Sequence, residues 1–103
     1  MILIADSGAS KTDWGCVSRH SDERIRFTSQ GYNPNYITGP QIVEDILKNL
    51  PAELQPERVK EIYFYGAGVT PLQYPFMEET LRKVFTKAEH VFIAMDTLAS
   101  CRA

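Results

Sequence analysis

The spacing of hydrophobic and polar residues changes along the chain, and the changes predict strands that give way to helices. Short runs of apolar or alternating residues predict five strands, which cover Ile2–Asp6, Asp13–Arg19, Arg24–Gln30, Glu61–Tyr65 and His90–Met95. Apolar residues at helical spacing predict a first helix with Ile42, Val43, Ile46, Leu47 and Leu50. The same spacing predicts a second helix with Met77, Leu81, Val84 and Phe85.

Turn and capping residues set the boundaries between these elements. The segment Gly31–Gly39 (GYNPNYITG) is rich in Gly, Pro and Asn, which predicts a loop. Thr38 and Pro40 signal the start of the first helix, Pro51 ends it, and Pro75 begins the second. The resulting order βββαβαβ predicts a ribonuclease-H-like α/β fold, with a mixed five-stranded sheet and helices packed on it.

Composition and charge narrow the classes of function. The chain has 103 residues, of which 44% are hydrophobic and 23% charged, with a formal net charge of -2. This length and composition predict one soluble domain over residues 1–103. The absence of a Lys/Arg-rich run argues against nucleic acid as a partner. No apolar stretch approaches the ~20 residues that span a bilayer, so no membrane contact is expected. Cys16 and Cys101 form no CxxC pair, which favours two reduced thiols in a cytoplasmic protein, while a single disulfide between them stays open.

The hairpin between the first two predicted strands carries the strongest chemical signal. Its main-chain N–H groups and hydroxyls can donate to phosphate oxygens, its glycine permits close approach, and its lysine can neutralise charge. The candidate ligand-binding residues are Asp6, Ser7, Gly8, Ser10, Lys11 and Thr12. Asp6 is also the candidate Mg²⁺ ligand, acting through the water molecules that Mg²⁺ tends to retain. A polar turn in which Asp6 only satisfies main-chain donors remains an alternative from the residues alone.

The last residues predict the start of a further helix. Asp96 is a good N-cap for the segment that follows it, and that segment has only about two turns and no capping signal at its end. We therefore expect the sequence to be a fragment that is truncated at the start of a helix near residue 96.

Four segments resemble one known family. ADSGASKTDW resembles the phosphate-1 motif, roughly DGGGTKT, of the BadF/BadG/BcrA/BcrD ATPases, which include N-acetylglucosamine kinases and belong to the actin-like ATPase superfamily. QGYNPNYI resembles the substrate loop of that family, and this implies that Asn35 contacts a sugar. YGAGV resembles the turn after the fourth strand, which implies that Gly66 and Gly68 line the substrate site. VFIAMDTLASCRA resembles the segment with the catalytic base, and this implies that Asp96 binds the substrate and accepts its proton.

The resemblance implies an ATP-dependent and Mg²⁺-dependent kinase that transfers the γ-phosphoryl group to an amino sugar, with N-acetylglucosamine as the expected substrate. The family binds ATP between two domains, so the chain would lack a C-terminal domain and would be inactive alone. Ser7 and Ala9 stand where the motif usually has glycines. Two alternatives stay open: an ATPase that activates a 2-hydroxyacyl-CoA dehydratase or a benzoyl-CoA reductase, and a non-catalytic nucleotide- or sugar-binding protein. A turn role for Asn35, a capping role for Asp96 and a homodimer of the full-length protein also stay open.

Overall fold

The computed structural model describes residues 1–95. In this part of the chain, five strands and two α helices follow one another in the predicted order βββαβαβ. The strands are β1 (Ile2–Ser7), β2 (Lys11–Val17), β3 (Arg24–Gln30), β4 (Glu61–Gly66) and β5 (His90–Met95). The helices are α1 (Gly39–Asn49), α2 (Tyr74–Val84) and two short 3-10 helices, Pro56–Arg58 and Pro71–Gln73.

The strands form one mixed sheet in the order β3-β2-β1-β4-β5. The β1–β2 and β2–β3 pairs are antiparallel, whereas the β1–β4 and β4–β5 pairs are parallel, which confirms the predicted fold class. Because β1, β4 and β5 run in the same direction, their carboxyl ends meet at one edge of the sheet. There Ser7 is in register with Gly66, and Gly66 is in register with Met95.

One face of the sheet is covered by the two α helices. Alternate residues of every strand point to this face, where their apolar side chains pack against the apolar sides of α1 and α2. The largest aromatic residue in this core is Trp14, which is 2% exposed. Its ring stacks on Phe27 with 5.5 Å between centroids, and its indole Nε1 donates to Ser29 Oγ at 2.9 Å. The buried indole N–H of Trp14 therefore has a hydrogen-bond acceptor inside the core.

The opposite face carries the other residues of each strand. Ile4 and Phe92 are exposed there, at 45% and 39%, and Phe92 lies 6.2 Å from the rings of both Tyr63 and Tyr65. Among residues 1–95, no helix is long and apolar enough to cross a membrane.

Local signals explain the helix ends. The Thr38 hydroxyl caps α1 by accepting from Gln41 N at 3.4 Å, and Thr38 N donates back to Gln41 Oε1 at 2.9 Å. The helix ends at Asn49, with Leu50 as its C-cap, because Pro51 cannot supply the next N–H.

Three details differ from the sequence prediction. Strands β1 and β4 each extend one residue beyond the predicted end, to Ser7 and Gly66. Strand β2 is Lys11–Val17 rather than Asp13–Arg19, because pairing with β1 and β3 on both sides decides where it begins. The two 3-10 helices were not predicted.

Candidate functional site

Three loops meet at the edge where β1 and β4 end. They are the hairpin 8–10, the loop 31–38 and the segment 67–73 that leads into α2. Ala67 N donates to Ser7 O at 2.8 Å, which ties the third segment to the end of β1. Gly31 touches the hairpin so closely that a Cβ there would lie 2.2 Å from Gly8 O. The predicted phosphate-binding and substrate-binding residues within 1–95 are thus brought to one edge of the sheet.

The tip of the hairpin presents exposed groups. Gly8 N donates to Lys11 O at 2.8 Å and closes the turn, which leaves Ala9 and Ser10 exposed at its tip. Lys11 is exposed as well, and its Nζ lies 3.7 Å from Asp13 Oδ1. Main-chain N–H groups in such a turn, together with a nearby ammonium, can bind an anion.

The hydroxyls of Ser7 and Thr12 lie inside the protein instead. Thr12 Oγ1 donates to Gln30 O at 2.9 Å, so its single proton is used. The 2.8 Å bond between the two hydroxyls must then be donated by Ser7, whose oxygen also accepts from Tyr32 N at 3.0 Å. Neither hydroxyl has a proton left for a phosphate, and both join the hairpin to β3 and the following loop. Their contact with phosphate stays a prediction that would require these bonds to open.

Two carboxylates face each other beside the hairpin. Asp6 of β1 and Asp13 of β2 are cross-strand partners in the antiparallel pair, and both residues are exposed. Like charges opposite each other on a sheet destabilise it unless a cation compensates them, and the Lys11 ammonium, 3.7 Å from Asp13 Oδ1, already compensates part of this charge. This arrangement fits a hydrated divalent cation shared with a phosphate, although residues 1–95 contain no cluster of three or more metal-ligating side chains.

The predicted substrate residues Asn35 and Gly68 lie near each other, although they come from different loops. Asn35 Oδ1 accepts from Gln73 Nε2 at 3.1 Å, and Asn35 Nδ2 donates to Asn33 Oδ1 at 2.9 Å. Gly68 has a φ of 76°, and a Cβ on it would lie 2.4 Å from Asn33 Nδ2. Both features require glycine at this position. Gly66, the other predicted glycine, is buried at the end of β4.

The predicted base Asp96 lies outside the described residues. It directly follows Met95, which is in register with Gly66 at the same edge of the sheet.

Tyr32 and Asp45 hold the base of the 31–38 loop on α1. The Tyr32 hydroxyl donates to Asp45 Oδ2 at 2.6 Å, and Gln30 N donates to the same oxygen at 3.3 Å. Burial raises the pKa of Tyr32, and the hydrogen bond to Asp45 raises it further, so this phenol stays protonated. Beside it, a groove of about 460 Å³ runs between the hairpin and α1. Neither Asn35 nor Gly68 lines that groove.

Sequence reasoning missed Asp13, Asn33 and Gln73. Asp13 could have been found, because a hairpin that pairs Ser7 with Thr12 also pairs Asp6 with Asp13. Gln73 occupies the third position after Thr70 in a Thr-x-x-Gln capping box, which is a readable signal. Its contact with Asn35, 38 residues away, left no local signal.

Comparison with solved structures gives an informative similarity. No protein-family model matches the chain, and no curated protein does. A solved structure from Porphyromonas gingivalis, named "Putative N-acetylglucosamine Kinase", superposes with a TM-score of 0.85 at 33% sequence identity. The match covers 99% of this chain and 36% of that one, so the chain spans about a third of the length of its neighbour. The chain thus has the ribonuclease-H-like fold of actin-like ATPase domains, and this similarity supports a kinase-like family.

Proposed function

We propose that this chain is the N-terminal part of a cytoplasmic, ATP-dependent kinase whose substrate is an amino sugar, N-acetylglucosamine. The observation that carries the proposal is the meeting of three loops at the carboxyl edge of β1 and β4. Open α/β sheets bind their ligands at that edge. The similarity to a neighbour that is named as such a kinase supports the choice of reaction and substrate.

The hairpin is proposed to hold the phosphates of ATP. Gly8 lets the main chain approach closely, and the exposed turn with Ser10 and Lys11 can donate to phosphate oxygens. Ser7 and Thr12 contribute by fixing the shape of the hairpin through their internal hydrogen bonds.

Asp6 is proposed to hold Mg²⁺ through water, with Asp13 opposite it. Mg²⁺ binds few protein carboxylates and keeps several water molecules, so a pair of exposed carboxylates beside a phosphate-binding turn fits it. The ion would supply positive charge that neutralises the phosphate oxygens during transfer. Lys11 would add a further positive charge, and the hairpin would orient the phosphates.

The sugar is proposed to lie between the 31–38 loop and the 67–73 segment. Asn35 would bind it directly, and Gly68 and the buried Gly66 would shape the turn beside it. Asp96 would accept the proton of the attacking hydroxyl. The sequence predicts a helix start at Asp96, and a carboxylate in such a place would be a weak base. Its position would therefore matter more than its basicity.

The one cysteine among residues 1–95 does not support the activator-ATPase alternative, and Cys101 lies outside the described residues. Such ATPases share an iron–sulfur cluster through accessible cysteine thiolates, whereas Cys16 is fully buried, with its Sγ 3.9 Å from Met1 Sδ. Burial also raises the pKa of the Cys16 thiol, which disfavours the thiolate that a cluster needs.

The test uses the full-length protein, Mg²⁺, ATP and a panel of sugars and amino sugars, with ADP release and sugar phosphate both measured. We expect ADP release that depends on N-acetylglucosamine. Asp6→Asn should lower kcat about 10²-fold, the size of effect expected when transition-state charge loses a stabilising group. Its matched control is Asp22→Asn, an exposed acid in the turn between β2 and β3.

Three outcomes would contradict the proposal. ATP turnover that ignores every sugar would favour the activator ATPase. Binding of ATP and sugar without turnover would favour the non-catalytic alternative. Equal kcat values for Asp6→Asn and Asp22→Asn would leave Asp6 only a structural residue of β1.

A further inference from the structure

A directed chain of hydrogen bonds joins the 67–73 segment to the 31–38 loop. Thr70 N donates to Gln73 Oε1 at 3.1 Å, and Gln73 Nε2 donates to Asn35 Oδ1 at 3.1 Å. Asn35 Nδ2 then donates to Asn33 Oδ1 at 2.9 Å. Three carboxamides are therefore connected in series across the edge of the sheet.

Both ends of this chain fix its direction. A carboxamide can be turned over with little change of shape, which exchanges its oxygen and its NH₂ group. A main-chain N–H can only donate, so Thr70 N requires the oxygen of Gln73 at one end. At the other end, Asn35 N donates to Asn33 Oδ1 at 2.9 Å and requires the oxygen of Asn33. Asn35 must therefore turn its oxygen towards Gln73 and its nitrogen towards Asn33.

Asn33 is itself held in place. Its main-chain oxygen accepts from Tyr36 N at 2.9 Å and from Ile37 N at 3.2 Å, which closes the loop around it. Its side chain lies directly against Gly68, where there is no room for a Cβ. The acceptor for the Asn35 amide is thus part of a rigid turn.

We propose that Asn33 and Gln73 are positioning residues that hold the Asn35 amide in one orientation, and that this orientation selects the ligand. A carboxamide has two N–H donors and two acceptor lone pairs, and the chain uses one of each. Asn35 is exposed, so one N–H and one lone pair remain for a ligand. Neighbouring hydroxyls of a sugar ring can accept from the first and donate to the second. This inference rests on the proposed sugar-binding role of Asn35.

The substitution Gln73→Glu in the full-length protein changes a single link. Its carboxylate still accepts from Thr70 N, but it has no N–H for Asn35 and places negative charge against the Asn35 oxygen. The matched control is Gln41→Glu, because Gln41 has the same place in the capping box of Thr38. Within residues 1–95, Gln41 makes no hydrogen bond to Asn35.

We expect Gln73→Glu to raise the KM for the sugar about tenfold, the size of one hydrogen bond. The KM for ATP and kcat should stay within about twofold, a split that a general loss of structure would not give. Gln41→Glu should change none of the three. Asn33→Ala should raise the sugar KM as Gln73→Glu does, and Asn33→Asp, which keeps the acceptor oxygen, should restore it. Equal sugar KM values for Gln73→Glu and Gln41→Glu would overturn the proposal.

A second measurement separates this inference from the proposed function. The ¹⁵N side-chain resonance of Asn35 in the full-length protein without sugar should shift in Gln73→Glu and not in Gln41→Glu. If the wild-type protein phosphorylates no sugar, the proposed function fails, and this resonance still tests the orientation of Asn35. An unshifted Asn35 resonance in Gln73→Glu would overturn the positioning role.

Discussion

Replacing Ser7 by alanine tests the buried hydroxyls beneath the hairpin. Ser7 is 1% exposed, and its hydroxyl accepts from Tyr32 N and donates its proton to Thr12 Oγ1. In Ser7→Ala, the Tyr32 N–H stays buried without its partner, which typically costs about 1–3 kcal/mol. The hydroxyl of Thr12 loses one hydrogen bond but keeps its bond to Gln30 O. We therefore expect the free energy of unfolding to fall by about 2 kcal/mol, mostly because the main-chain N–H of Tyr32 is buried without a partner.

Hydrogen exchange of the Tyr32 amide in the full-length protein measures this loss locally. Every 1.4 kcal/mol is a factor of ten, so a loss of about 2 kcal/mol should speed exchange by about thirtyfold. Ser10→Ala is the matched control, because Ser10 is exposed at the tip of the same hairpin. Exposed substitutions usually stay within about 0.5 kcal/mol. A double-mutant cycle with Thr12→Val should show a coupling of about 0.5 kcal/mol or more, since the two hydroxyls are in contact.

The outcome that refutes this reasoning is equal Tyr32 exchange in Ser7→Ala and Ser10→Ala. A KM for ATP that rises more in Ser7→Ala than in Ser10→Ala, with Tyr32 exchange unchanged, would restore the hydroxyl of Ser7 as a phosphate ligand.

Two further predictions concern the glycine turn and the buried thiol. Gly68→Ala should lower the free energy of unfolding, measured by urea titration, by about 1–2 kcal/mol, because alanine is strained at a φ of 76°. In the same titration Gly15→Ala should be nearly neutral, because its Cβ would meet nothing within 4 Å. Burial raises the pKa of the Cys16 thiol in the folded protein. The protonated thiol therefore contributes its full stabilisation below the unfolded pKa of about 8.5, and this stabilisation is lost as pH rises through the higher folded pKa. Urea midpoints from pH 7 to pH 10 should fall more steeply for the wild type than for Cys16→Ala, and parallel slopes would contradict this.

The sequence predicted the fold well because the strands are governed by local patterns. The bounds of β3 and β5 agree with the prediction residue by residue, since alternation or a continuous apolar run marks both. The start of β2 was less accurate, because Lys11 and Thr12 join the strand through pairing with Ser29 and Gln30 rather than through any pattern of their own.

The candidate site was predicted only in part, and the difference is physical. Polar residues near a glycine suggested a solvated hairpin, but strand alternation places Ser7 on the same face as the buried Leu3 and Ala5. That alternation was readable in the sequence and argues for burial. The bond between Gln73 and Asn35 was not readable, because it depends on how two loops meet after the sheet has formed.

The tight contact of Gly31 with the hairpin has a thermodynamic consequence. With main-chain atoms touching at this point, the hairpin and the 31–38 loop have little room to move independently. If one loop holds the nucleotide and the other the sugar, ordering of either loop by its ligand lowers the entropic cost of ordering the other. The two affinities are then linked, and linkage requires that each ligand change the affinity of the other by the same factor. A single glycine without a side chain would therefore make the binding of two different substrates cooperative.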